Sequence, residues 1–188
     1  MHDFAAISPS SPVREHDRSM VVRQLMTDHG DAVFGICVRI LRDRVLAEDV
    51  QQQVFLEAHR DLARFEGRST LRAWLFGITT HRCQDAIKMR RRRERRFHND
   101  DQAVRKLVDP AADPHLELDR SRVTRALDDC LAELSVENRT AILLRFQLGM
   151  SYEEMASALR TRPDTLHARV SRGLRLLRRL LETRGWDR

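Results

Sequence analysis

From Ser19 onward, apolar side chains return at three- and four-residue steps, a periodicity that demands helices. Val22, Leu25, Met26, Val33, Ile36, Cys37, Ile40 and Leu41 follow it, with a soft break expected at Gly30. A second helix is predicted from Val45 to Phe65, where Val50, Val54, Ala58 and Leu62 share one face and are assigned to the core. The opposite sides carry Glu48, Asp49, Gln52, Gln53 and Glu57, an exposed polar surface open to a partner. With only seven glycines and five prolines in 188 residues, few positions can interrupt such helices.

One interruption is "FEGRST". Gly67 permits a sharp turn there, and Ser69 or Thr70 can cap the helix that follows. That helix, Leu71 to about Arg96, starts apolar with Trp74, Leu75 and Ile78 and ends in "KMRRRRERR". It therefore begins in a core and finishes in solvent. Trp74 is assigned to the core by its spacing, and Asp85 is expected to pair with Arg82 or Lys88 on its own helix.

Residues 1–18, containing "SPSSP", lack periodicity and read as a mobile tail. Residues 97–120 contain prolines and several acids and read as a linker between two lobes, 19–96 and 121–188. In the second lobe, Val123, Leu127, Leu131 and Leu134 line one helix, and Ile142, Leu143 and Phe146 line another that stops at Gly149. The fold class is all-α, two small helical domains joined by a flexible connection.

The last segment is the most informative. "SYEEMASAL" opens with a capping box, Ser151 with Glu154, and "TRPD" is expected to repeat the device with Thr161 and Asp164. About three residues of turn separate them, and Met155, Ala156, Leu159, Leu166 and Val170 supply apolar crossing surfaces. This is the pattern of a helix-turn-helix, whose second helix fits the major groove of DNA. Leu166, Val170, Leu174, Leu177 and Leu181 keep its core side, while His167, Arg169, Arg172 and Arg175 point elsewhere. Arginine can hold phosphate or grip a guanine edge with two hydrogen bonds.

Charge agrees with a polyanionic partner. The net charge is +6, and because 33% of residues are charged with both signs, the location of the basic excess matters more than its size. Lys88 to Arg96 holds seven basic residues and one acid, which can neutralise phosphate or simply solvate a helix end.

Other classes find little support. There is no glycine-rich phosphate loop, no metal-ligand cluster and no nucleophile with a placed base, so neither enzyme activity nor a cofactor is expected. Cys37, Cys83 and Cys130 form no zinc-type pair and read as reduced thiols, and the proximity of His81 to Cys83 is assigned to packing. No apolar run approaches the roughly 20 residues a bilayer requires, and the start lacks the order of a signal peptide; membrane insertion is not expected and a cytoplasmic location is. A stand-alone regulator or a helical adaptor remains compatible with parts of this pattern, although each leaves some of it unassigned.

Taken in order, the segments resemble one family, the extracytoplasmic-function sigma factors of the sigma-70 family. "AEDVQQQVFLEA" looks like its polymerase-docking helix, "STLRAWLFGITTHRCQDAIKMRRRR" its promoter-melting segment, and "LSVENRTAILLRFQLGMSYEEMASAL" with "TLHARVSRGLRLL" its terminal DNA reader. The resemblance implies a factor that binds core RNA polymerase, at the beta-prime clamp and beta flap, and directs promoter-specific initiation. An anti-sigma protein is common in the group. It implies that Glu48, Asp49, Gln52, Gln53, Phe55 and Glu57 dock on polymerase, and that Phe65, Glu66, Gly67, Arg68, Ser69 and Thr70 capture a base flipped from the minus-ten element. His81, Arg82, Lys88, Arg90 and Arg91 would follow that strand, and Arg162, Thr165, His167, Ala168, Arg169, Ser171, Arg172 and Arg175 would face the minus-thirty-five element. The linker would thread the enzyme. The chain departs from the family pattern at Gln53, His81, Ser135, Arg160, His167, Ala168 and Gly173.

Overall fold

The computed structural model describes residues 15–97 and 122–186. The expected tail through residue 14 and the expected linker from residue 98 lie outside the described residues. Helix α1 spans Glu15–Leu41, so it starts before Ser19, and residues 15–18 belong to it rather than to a tail. It also runs through Gly30 without a break. Gln51 donates its side-chain amide to Gly30 O at 2.9 Å, and packing on both sides of the glycine overrides its roughly 1 kcal/mol helix penalty.

Arg42 takes a left-handed conformation (φ 55°) and ends α1. Asp43 then accepts from Leu46 N at 3.0 Å and caps α2, Arg44–Asp61. Ala47, Val50, Val54, Phe55 and Ala58 are buried along α2, which tightens into a 3₁₀ turn, Leu62–Arg64. After the loop, Thr70 accepts from Ala73 N at 3.1 Å and caps α3, Leu71–Phe97. Leu75, Phe76, Ile78, Cys83 and Ile87 of α3 are buried, and residues 91–96 are exposed. The buried hydroxyls of Thr79 and Thr80 donate to Leu75 O and Gly77 O, which removes the cost of burying them.

The second lobe comprises α4 (Arg122–Glu133), α5 (Val136–Ile142), a wide π turn (Leu143–Gln147), α6 (Tyr152–Leu159) and α7 (Pro163–Thr183). Four expected core positions of this lobe, Val123, Leu127, Phe146 and Leu174, lie outside the core. Val123 and Leu127 are exposed on α4, and the π turn rotates Phe146 outward to 62% exposure. On α7 the buried line is Leu166, Val170, Gly173 and Leu177, with Leu174 exposed and Leu181 half-buried. A straight helix of 3.6 residues per turn drifts off a strict four-residue ladder, and the line steps back to Gly173. There the crossing is close, for a Cβ added to Gly173 would lie 2.6 Å from Ile142 Cδ1.

The caps of the helix-turn-helix differ from each other. Ser151 and Glu154 form the reciprocal capping box, at 3.1 and 2.8 Å. The expected second box with Thr161 does not form. Arg162 occupies the N-cap without a side-chain bond, and Pro163 at the first helical position lacks the N–H that would need one. The turn is held by Arg160 in a left-handed conformation (φ 48°), and Gly149 (φ 65°) provides the earlier stop as expected.

The two lobes share one apolar core. α3 lies against α6 so closely that a Cβ on Gly77 would sit 2.7 Å from Ala158 O. Arg72 also donates to Leu148 O, and Arg39 pairs with Asp128 at 3.1 Å. Arg139 is 6% exposed and donates to Leu131, Ala132 and Leu134 carbonyls at the end of α4 and to Arg39 and Ile40 carbonyls at the end of α1. One guanidinium therefore closes the C-termini of a helix from each lobe.

Candidate docking and nucleic-acid interfaces

On α2, Glu48, Asp49, Gln52 and Gln53 are exposed together, as the sequence leads one to expect. Glu48 pairs with Arg44 one turn earlier at 3.4 Å, a solvated contact worth only a few tenths of a kcal/mol. Phe55 is not part of this surface. It is 7% exposed and packs in the core, because it follows Val54 onto the buried side. The apolar side chains that do stand among the polar ones are Val45 and Leu56, each 71% exposed. Sequence reasoning missed both, since aliphatic residues in a helical pattern are assigned to the core by default.

Glu57 turns toward α3, where Arg82 donates to its carboxylate, and Arg60 approaches at 4.0 Å. The structure thus joins a residue expected on the docking face to one expected along the melted strand. Arg60 also pairs with Asp61, and that hydrogen bond holds the Asp61 carboxyl below the ordinary carboxylate range.

The loop before α3 is built on an aromatic pair. Phe65 and Trp74 rings lie 5.3 Å apart and are tilted, which fixes the loop entry against the helix. Trp74 is half-buried, packed on the core as its spacing implies. Gly67 takes φ +68° with no neighbour where a Cβ would be, so it serves chain direction and not close approach. Glu66 and Arg68 pair across it at 2.7 Å. Thr70 supplies the cap, and the half-buried Ser69 donates its hydroxyl to Thr70 O at 3.4 Å. Along α3, His81 and Arg91 are exposed, Lys88 pairs with Asp85 at 3.2 Å, and Arg90 leans on Leu41 O and Glu94. A cleft of about 300 Å³ runs between α3 and α6, lined among others by Ser69, Trp74, His81, Arg82, Ser157 and Arg160.

On α7, Arg162, His167, Ala168, Arg172 and Arg175 are exposed, whereas Thr165, Arg169 and Ser171 are half-buried. Arg172 folds back on Ala168 O at 3.3 Å. His167 does not stand alone: its ring lies 5.2 Å from that of Tyr152, and the Arg145 guanidinium lies over the same tyrosine ring, 5.0 Å from its centroid. No spacing rule connects positions 145, 152 and 167, so only the folded chain reveals this stack. Among the described residues no group of acids, histidines and cysteines could hold a metal ion, and no helix is long and apolar enough to cross a membrane.

Comparison with known proteins accounts for this arrangement. The family model for sigma-70 region 2 matches residues 25–93, and that for sigma-70 region 4 matches residues 124–177. The chain is 30% identical to the RNA polymerase sigma factor CarQ of Myxococcus xanthus over 158 residues, 84% of this chain and 87% of CarQ. It is 30% identical to the ECF RNA polymerase sigma factor SigK of Mycobacterium tuberculosis over 159 residues, 80% of each chain. In structure it resembles the sigma factor RpoE of Bartonella quintana, solved with the anti-sigma factor NepR, with a TM-score of 0.69 and 28% identity over 85% of this chain and 96% of RpoE. With both regions present in order, and relatives of this kind spanning four fifths of its length, the chain belongs to the extracytoplasmic-function sigma factors of the sigma-70 family.

Proposed function

We propose that this protein binds core RNA polymerase through α2, helps to open promoter DNA through the residue 65–70 loop and α3, and reads the upstream element with α7, in the cytoplasm. The observation that carries this reading is the separation of two exposed surfaces of opposite character: the acidic and amide face of α2 and the arginine face of α7. An acidic helix cannot gain from phosphate, but it suits a basic protein surface, with Val45 and Leu56 adding apolar contact before and after its polar residues. The α7 face suits phosphate and base edges. Synthesis of RNA would be the polymerase's chemistry. An anti-sigma protein is a candidate partner, as NepR is for RpoE.

Run-off transcription with core enzyme, alongside co-purification with it, tests the division of labour. Arg172→Ala should weaken promoter binding and leave polymerase association intact, and Asp49→Ala should do the reverse. If the two variants behave alike in both assays, the assignment of one surface to each partner is wrong.

A further inference from the structure

Past the N-cap Arg162, His167 is the first exposed side chain within α7 that carries hydrogen-bonding nitrogens, near the end where a major-groove helix presents its reading residues. Its neighbour Ala168 carries no such group. An imidazole free in solvent would sample several rotamers and offer its nitrogens in many directions. Here one side of the ring is occupied by Tyr152, at 5.2 Å and a 56° tilt.

Tyr152 is itself fixed. It is the first residue of α6, directly after the Ser151 capping box, and it is half-buried against the apolar core. Its ring is faced by Arg145, whose Nη1 donates to Met150 O at 2.7 Å. That carbonyl lies just before the cap, so the guanidinium is tied to the same turn that sets Tyr152. Arg145 is on the π turn, the distortion that also throws Phe146 outward. The three residues thus form a stack from the π turn, across the first residue of α6, to the reading face of α7.

We propose that Tyr152, backed by Arg145, is a positioning residue that holds His167 in one orientation and so determines the base preference at a single position of the upstream element. This rests on the reading that α7 faces DNA. A held imidazole presents a fixed donor or acceptor to one base edge, and restriction of its rotamers before binding lowers the ordering cost of that contact. The α7 arginines Arg172 and Arg175 are exposed, and Arg172 folds back on Ala168 O of its own helix, so the effect should be confined to the base that His167 meets.

The test uses the full chain with core polymerase and a promoter library whose upstream element is randomised, read by enrichment at each position. His167→Ala should reduce discrimination at one position by about tenfold, within the range of a single base contact. Tyr152→Leu, which keeps apolar packing on the core but removes the ring, should flatten the same position and leave the others unchanged. Tyr152→Phe should retain the parent pattern, and His167→Ala with Tyr152→Leu should lose no more than His167→Ala alone. Thermal unfolding of Tyr152→Leu checks that the lobe remains intact. Equal loss at every position, or strict additivity of the double variant, would show a merely structural tyrosine and overturn the inference. Absence of any selective enrichment by the parent protein would instead defeat the DNA-reading assignment of α7, and this inference with it.

Discussion

Cys37 and Cys83 come from different helices, yet their sulfurs meet at 3.7 Å with both residues fully buried. The contact with Cys37 and, after it, burial push the Cys83 thiol well above its ordinary range, because a thiolate there would lose both its hydration and its hydrogen-bonded neighbour. The folded chain therefore keeps a proton that the unfolded chain releases near the ordinary thiol pKa. Stability from this site is complete below that pKa and falls as pH rises through it, by at most about 1.4 kcal/mol per pH unit for one proton. Urea unfolding between pH 8 and pH 10 should show a declining midpoint, and Cys83→Ala should flatten that decline while lowering stability at pH 7 through the lost packing. An unchanged slope in the variant would assign the pH dependence to other groups.

At the scale of the elements, the crossing of α5 and α7 depends on the absence of a side chain at Gly173. Gly173→Ala would place its Cβ 2.6 Å from Ile142 Cδ1, and either that methyl moves or the helices separate. Overpacking of this kind costs about 1–3 kcal/mol, against the roughly 1 kcal/mol that alanine gains over glycine in a helix, and the further approach of Ile142 Cγ1 at 3.3 Å limits how far the methyl can turn away. Differential scanning calorimetry should record a lower Tm, and adding Ile142→Val, which removes the obstructing Cδ1, should restore most of it. If the pair is no better than Gly173→Ala alone, the contact with Ile142 does not set the crossing. The same region shows what a sequence conveys. The helices, the Ser151 box, the Gly149 stop and the exposed acids of α2 were legible because each depends on neighbours within a few residues. The drift to Gly173, the π turn that exposes Phe146, and the replacement of a Thr161 cap by Pro163 depend on packing or on one competing residue. Phe55 and Leu56 illustrate the limit, since both fit an apolar position and only the packed helix decides which one faces out.

Across the whole molecule, the seam between the lobes depends on a residue whose sequence context gives no hint of burial. Among the described residues Arg139 meets backbone carbonyls and no carboxylate, and burial followed by nearby Arg42 lowers its pKa from the ordinary arginine value. It remains charged at neutral pH, since an arginine begins far above that range. Removing it exposes the unpaired ends of α1 and α4 to each other, with a penalty of roughly 1–3 kcal/mol for a buried carbonyl left without a donor. Arg139→Leu places a shorter side chain there that cannot donate, so it should lower stability by about 2–4 kcal/mol and loosen the seam. Gly77→Val attacks the same seam from α3 without touching that network, because its side chain would meet Ala158 O. Both variants should therefore enlarge the particle in small-angle scattering and split a single unfolding transition into two, one per lobe. A loss of stability in Arg139→Leu without any change in size would confine its role to capping α4 within the second lobe, and an unchanged Gly77→Val would show that the contact between α3 and α6 is not what keeps the lobes together.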